Sequence, residues 1–315
     1  MIAFKLVLQL LILTYVGVLI RKRNMVDDAF SERLTNLLFA IAMPCLIFYS
    51  VRSALAFSVE LLKQCAWASI MGVFVVGLSI GIGQVFFVLK HRSGYARIMR
   101  YSLSFSHYSL MGIPVITGLF GNEGMLAYSF FMIAVRIGYF ALTEPLLIPP
   151  KERQQAKSAS LLMKGILLNP CMVALFIGLL FWTARIPVPE VFDWCIRQFS
   201  TICTPMGLLL CGFTLGKYDF KQLLAPHFWV IPVLRCIFMP LIIFAITRIF
   251  LLFDIDPMIL KIAVIYSALP IPSMTTAYVL KYDPDPRNQL EAVGASVVSV
   301  GLSAITLPMW YILMQ

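Results

Sequence analysis

Charge is what this chain has least of. Asp, Glu, Lys and Arg supply 13% of its 315 residues, against about 25% in a soluble globular domain. Acidic groups are scarcer still within the apolar stretches, where Glu144 alone falls beyond the first residue of a run, and near its end. With no carboxylate pair at mid-span, a cation exchanger built on paired aspartates is disfavoured, as is a sodium site made of carboxylates. Sodium held by backbone carbonyls stays open. Histidine occurs three times, and there is no His cluster, no GxSxG elbow and no paired catalytic carboxylate. The chain therefore reads as a non-enzyme with no metal and no cofactor. Seven cysteines, Cys45, Cys65, Cys171, Cys195, Cys203, Cys211 and Cys236, are odd in number and lack metal-ligand spacing, so they read as small core residues. The basic excess, 25 Lys and Arg over 15 Asp and Glu, is scattered between apolar runs. No soluble basic face results, which argues against nucleic acid.

What remains is apolar: 60% hydrophobic residues and a mean hydropathy of +0.89. About 20 residues of helix cross a hydrocarbon layer of about 30 Å. Ten runs approach that length, over residues 4–20, 34–51, 66–89, 98–119, 125–148, 166–184, 199–215, 228–253, 260–280 and 291–313. The first lacks a small-residue cleavage site and reads as a retained span. Orientation follows from lysine and arginine, which cytoplasmic loops retain. Placing both termini outside puts sixteen of the 25 basic residues in the cytoplasm, leaves six outside, and places Arg136, Arg235 and Arg248 within spans.

Two of the runs carry residues that a bilayer helix should avoid. The fourth has Ser104, Ser106, His107 and Ser109 ahead of Gly112 and Pro114; the ninth has Pro270 and Pro272 at mid-span. Proline removes a backbone donor and clashes with the carbonyl four residues back. Both helices should therefore break, at Gly112–Pro114 and at Pro270–Pro272, and such breaks must face protein or a cavity. Both runs contain Ile-Pro-x-x-Thr, at Ile113, Pro114 and Thr117 and again at Ile271, Pro272 and Thr275, 158 residues apart. That offset carries spans one to five onto spans six to ten. The expected fold is an all-α integral membrane protein of ten transmembrane helices, built as two inverted five-helix repeats with broken, crossing helices four and nine. The first repeat is 1–148, a cytoplasmic loop is 149–165, and the second repeat is 166–315.

Several motifs together resemble the auxin efflux carrier family, which includes plant PIN exporters and bacterial permeases for malate or malonate. They are NLLFAIAMPCLIF (36–48), the Gly112, Ile113 and Pro114 break, Asn169 and Pro170 opening span six, 205–216 in span seven, and PSMTTAYVL (272–280). The resemblance implies a scaffold of spans one, two, six and seven, with the remaining spans forming a transport domain that moves as an elevator. It also implies a bacterial inner membrane. Many relatives carry asparagine where this chain has His107, and frequently another where it has Thr276.

Half-helix ends at a midplane crossing present unpaired amide donors and positive partial charge, which suits a carboxylate. The candidate substrate-binding residues are Ser106, His107, Gly112, Pro114, Arg136, Pro270, Pro272, Ser273, Thr275 and Thr276. The hydroxyls could instead bond back to their own helices. Arg136 lies too far from either end of its span to reach water and needs a partner or a cavity. Arg235 and Arg248 are nearer their ends and can snorkel. His107 could exchange a proton near neutral pH, or stay neutral and hydrogen-bonded. The expected function is a secondary transporter of small organic anions such as carboxylates; the alternative is a sodium-coupled symporter of the bile-acid type. Coupling to protons or sodium, and a homodimer in the bilayer, are left open.

Overall fold

The computed structural model describes residues 2–52, 59–90, 93–148, 167–216, 225–250 and 255–315. The expected cytoplasmic loop 149–165 lies outside the described residues. Among those described, the regular elements are all helical. They are α1 (Ile2–Lys22), α2 (Asp28–Leu37), α3 (Met43–Arg52), α4 (Val59–Leu89), α5 (Gly94–Ser104), α6 (Ile113–Leu147), α7 (Pro170–Thr183), α8 (Glu190–Gly216), α9 (Val230–Val233), α10 (Met239–Phe250), α11 (Pro257–Ala268), α12 (Ser273–Tyr282) and α13 (Pro286–Leu313). Among the described residues, five helical stretches are long and apolar enough to cross a membrane: Asp28–Arg52, Leu62–Leu89, Gly94–Thr143, Pro226–Phe250 and Pro286–Leu313. Shorter apolar helices are Pro170–Thr183 and Pro257–Ala268. The third stretch takes in α5, the π turn Tyr108–Gly112 and most of α6, and Gly121 at φ +66° interrupts α6 itself, a conformation that a side chain with Cβ resists.

Three π turns, Leu38–Ala42, Tyr108–Gly112 and Leu234–Phe238, share one cause. Each ends two residues before a proline, at Pro44, Pro114 and Pro240. A proline has no N–H for the carbonyl four residues back and its ring crowds that carbonyl. Widening the preceding turn relieves the clash while the helix continues. This corrects the expected break at Gly112–Pro114. Pro114 sits at the second position of α6, and the chain comes out of helix earlier, at Phe105, Ser106 and His107. The second break falls where it was expected, with Leu269, Pro270, Ile271 and Pro272 between α11 and α12. Asn169 likewise opens α7, its side chain accepting from Cys171 N at 3.0 Å ahead of Pro170.

Packing gathers the helices into two groups. In one, α1 lies against α8, and α3 lies against α7 and α8. Gly17 and Gly212 let the α1 and α8 backbones approach so closely that a Cβ on either would strike the backbone of the other helix, as small residues do between membrane helices. In the other group α4 packs on α5 and α6, α10 on α11, and α12 on α13. Cys65, Cys171, Cys203 and Cys236 are buried as core residues, and Cys45 and Cys195 are half-buried, all as free thiols.

Candidate functional site

The two breaks meet. His107 N donates to Pro270 O at 2.8 Å, a backbone bond between segments 163 residues apart in the chain. Gly112 packs at the same place, and a Cβ there would run into the Tyr128 hydroxyl and Leu269. Further bonds hold each break open. Ser299 Oγ accepts from Ile271 N at 3.1 Å, and Tyr128 donates its hydroxyl to Tyr108 O at 3.0 Å. These bonds satisfy groups that a continuous helix would have paired internally, so the irregular backbone survives without lipid contact.

Arg235 ties the crossing together. It is 0% exposed, and its Nη1 donates to Leu103 O at 2.6 Å while its Nε donates to Leu269 O at 3.2 Å. These carbonyls belong to the carboxyl-terminal ends of α5 and α11. The expectation that Arg235 could snorkel is therefore wrong. Its π turn lies against the breaks, and carbonyls left over by two interrupted helices are a stronger attraction than a distant headgroup layer. Arg248, in contrast, stacks on the Phe244 ring at 4.5 Å.

Arg136 is 3% exposed, as its central position requires. Bonding to the carbonyls of the broken helices falls to Arg235. Arg136 Nη1 instead donates to Met172 Sδ at 3.0 Å, a weak acceptor for a guanidinium. Among the described residues no carboxylate pairs with it. The Tyr108 and Tyr128 hydroxyls and the Cys171 thiol lie within its electrostatic reach. Tyr108 belongs to a run, His107 to Leu110, that is half-buried while residues 101–106 and 111–116 are buried. Surface is thus left at His107, where the first break ends, and at the start of the π turn that follows it, and nowhere else in 101–116. Beside it runs an apolar cleft between the two helix groups, lined by Thr14, Met111, Val115, Leu208, Ser303 and Leu307.

The remaining candidates divide. Ser106 and Thr275 are fully buried, and their hydroxyls are closed by no hydrogen bond of good geometry. Thr276 bonds to Ser296 Oγ at 3.0 Å and Ala292 O at 3.3 Å, fastening α12 to α13. Ser104 bonds back to Arg100 O at 2.8 Å. Pro270 accepts from His107, Pro272 precedes α12 as its N-cap residue, and Pro114 lies against Gly207 of α8. Ser273 opens α12, but its side chain lies outside those described. Two acids escaped the sequence reading as buried groups. Asp283, 6% exposed, takes Arg97 Nη2 at 3.0 Å and Asn288 Nδ2 at 3.0 Å. Glu291 is 7% exposed with Oε1 unpartnered. Asp283 caps the end of α12 and Glu291 lies in the second turn of α13, and neither position shows in the sequence what covers it.

No curated protein matches the chain. A family model described as membrane transport protein matches residues 2–311. With that match spanning nearly the whole chain, and with paired helix breaks where the family motifs lie, the protein belongs to this membrane transport family, the auxin efflux carriers.

Proposed function

We propose that the protein is a secondary transporter of small organic anions, carboxylates foremost, and that Arg136 beside the first break receives the anionic group. One observation carries this reading. A guanidinium 3% exposed, with a thioether as its hydrogen-bond acceptor, borders the stretch of broken helix that keeps surface. A buried cation lacking a counter-charge is costly, and an incoming carboxylate removes that cost. The amino-terminal ends of α6 and α12 add partial positive charge to the same region. The apolar cleft next to Met111 suits the hydrocarbon part of such an anion.

The arrangement in the membrane follows the same reading: ten spans in two inverted repeats, both termini outside, and elevator-type movement of one helix group against the other. Three features support it. The helix groups match the scaffold and transport sets of the family plan. Arg97 pairs with Asp283, and both their loops fall on the cytoplasmic side by charge count. Arg52 pairs with Asp193, both on the outer side by the same count. The single test is binding: a carboxylate panel is screened against purified wild type and Arg136→Gln by thermal shift, then by uptake into liposomes. A carboxylate that binds wild type and loses at least tenfold in affinity with Arg136→Gln supports the reading. Equal binding by both proteins removes Arg136 from the site.

A further inference from the structure

The carboxyl-terminal ends of α5 and α11 turn a carbonyl each toward one guanidinium, with Leu103 O 2.6 Å from Arg235 Nη1 and Leu269 O 3.2 Å from Arg235 Nε. Each helix end carries about half a negative charge, so the two together present roughly one. Oxygen also comes from side chains nearby. The Tyr266 ring is 5.9 Å from the Arg235 guanidinium carbon, and its hydroxyl neighbours both Ser106 and Arg235. Yet neither the Tyr266 nor the Ser106 hydroxyl, nor Arg235 Nη2 beside them, is closed by a hydrogen bond of good geometry, and all three residues are 0% exposed. Two carbonyls, two hydroxyls and a net partial charge of about one unit describe the shell of a hard monovalent cation, which oxygen ligands suit. No group of acidic, histidine or cysteine side chains able to hold a metal occurs among the described residues. The charge at the centre of this shell is the chain's own arginine.

We propose that Arg235 stands as a built-in cation at the helix crossing, in the place where a mobile sodium ion would otherwise bind, so that the protein works without sodium. The two hydroxyls are then the outer members of a shell whose centre is permanently filled. A second cation could not join it, because like charges this close in a low-dielectric interior repel strongly. Arg235 is thus a positioning residue that acts through two helix ends, and its effect is to set which ions the crossing responds to. This goes beyond the anion reading, and the decisive arm needs no substrate.

The experiment is a thermal unfolding series on the purified full chain in equal concentrations of sodium chloride or choline chloride. Wild type should melt within about 1 °C in the two salts. Arg235→Ala, which uncovers the carbonyls and opens space, should melt more than about 5 °C lower in choline and regain about 2 °C or more in sodium, because a ligand that binds only the folded state raises its midpoint. Arg235→Lys keeps a charge at the centre and should stay indifferent to sodium. Arg235→Ala that folds, melts lower and ignores sodium overturns the proposal, as does a wild-type midpoint raised more than about 2 °C by sodium. Should Arg235→Ala fail to fold, wild type and Arg235→Lys decide: two sodium-insensitive proteins uphold the proposal and a sodium-stabilised wild type overturns it.

Discussion

Arg136 and Arg235 are 3% and 0% exposed, and the chain surrounds them in opposite ways. Around Arg235 the protein supplies its own acceptors, from the ends of two helices, and the backbone of both breaks depends on it. Around Arg136 it supplies a thioether, two tyrosines and a thiol. Burial alone therefore says little about what a charged side chain is for. The acceptors decide: a guanidinium whose partners are fixed backbone oxygens is part of the frame, and one whose partners are soft is left with capacity for something that arrives.

The sharpest way to break this comparison is to remove the framing arginine. Arg235→Ala strips two charge-assisted hydrogen bonds from buried carbonyls, and should cost about 3–5 kcal/mol, read as a large fall in melting temperature and in yield of folded protein. Were it to melt like wild type, the two arginines would not differ in the way argued. Next in size is Arg136→Gln. It should cost anion affinity about 10- to 100-fold, the worth of a charge-assisted bond, while the melting temperature without ligand stays level or rises. A fall in stability as large as that of Arg235→Ala would make Arg136 a frame residue too. Ser299→Ala probes the frame more gently. It leaves Ile271 N without its acceptor and should cost about 1 kcal/mol in thermal unfolding, with anion affinity changed less than by Arg136→Gln. Smallest is Met172→Leu, which replaces the thioether facing Arg136 at nearly constant volume. Its stability cost should be under about 1.5 kcal/mol, and anion affinity measured by titration should hold within about threefold. A greater loss would mean that the thioether, rather than the guanidinium alone, shapes the site.

Part of this was legible in the residues. Prolines 270 and 272 within an apolar run mark a break because proline cannot take part in the helix ladder, and the chain leaves helix there. Arg136 is far from both ends of its run, and it is buried accordingly. The first break was misplaced because a proline can be accommodated in two ways, by rupture or by widening the preceding turn. At Pro114 the turn is widened and the ring packs against Gly207 of α8, a contact that sequence does not display. Arg235 was misread for a related reason. Its partners Leu103 and Leu269 lie 132 and 34 residues away, so distance to the end of its own span was the wrong measure. The burial of Asp283 and Glu291 also depends on remote elements. Asp283 meets Arg97 of α5 across 186 residues, a pairing no local pattern announces.

The three widened turns have a consequence for how the helices face their neighbours. A π turn holds one residue more than the α-helical turn it replaces, and one residue of α-helix corresponds to a rotation of about 100° and an advance of about 1.5 Å. Everything on one side of Leu38–Ala42, Tyr108–Gly112 or Leu234–Phe238 is therefore turned relative to the other side, as though a single letter had been inserted. Pro44, Pro114 and Pro240 act as phase markers that keep this offset in place. Arg235 lies inside one of these turns, so the direction in which it points is set by an offset in helical phase, and a helix wound evenly through 234–238 would aim the same side chain elsewhere.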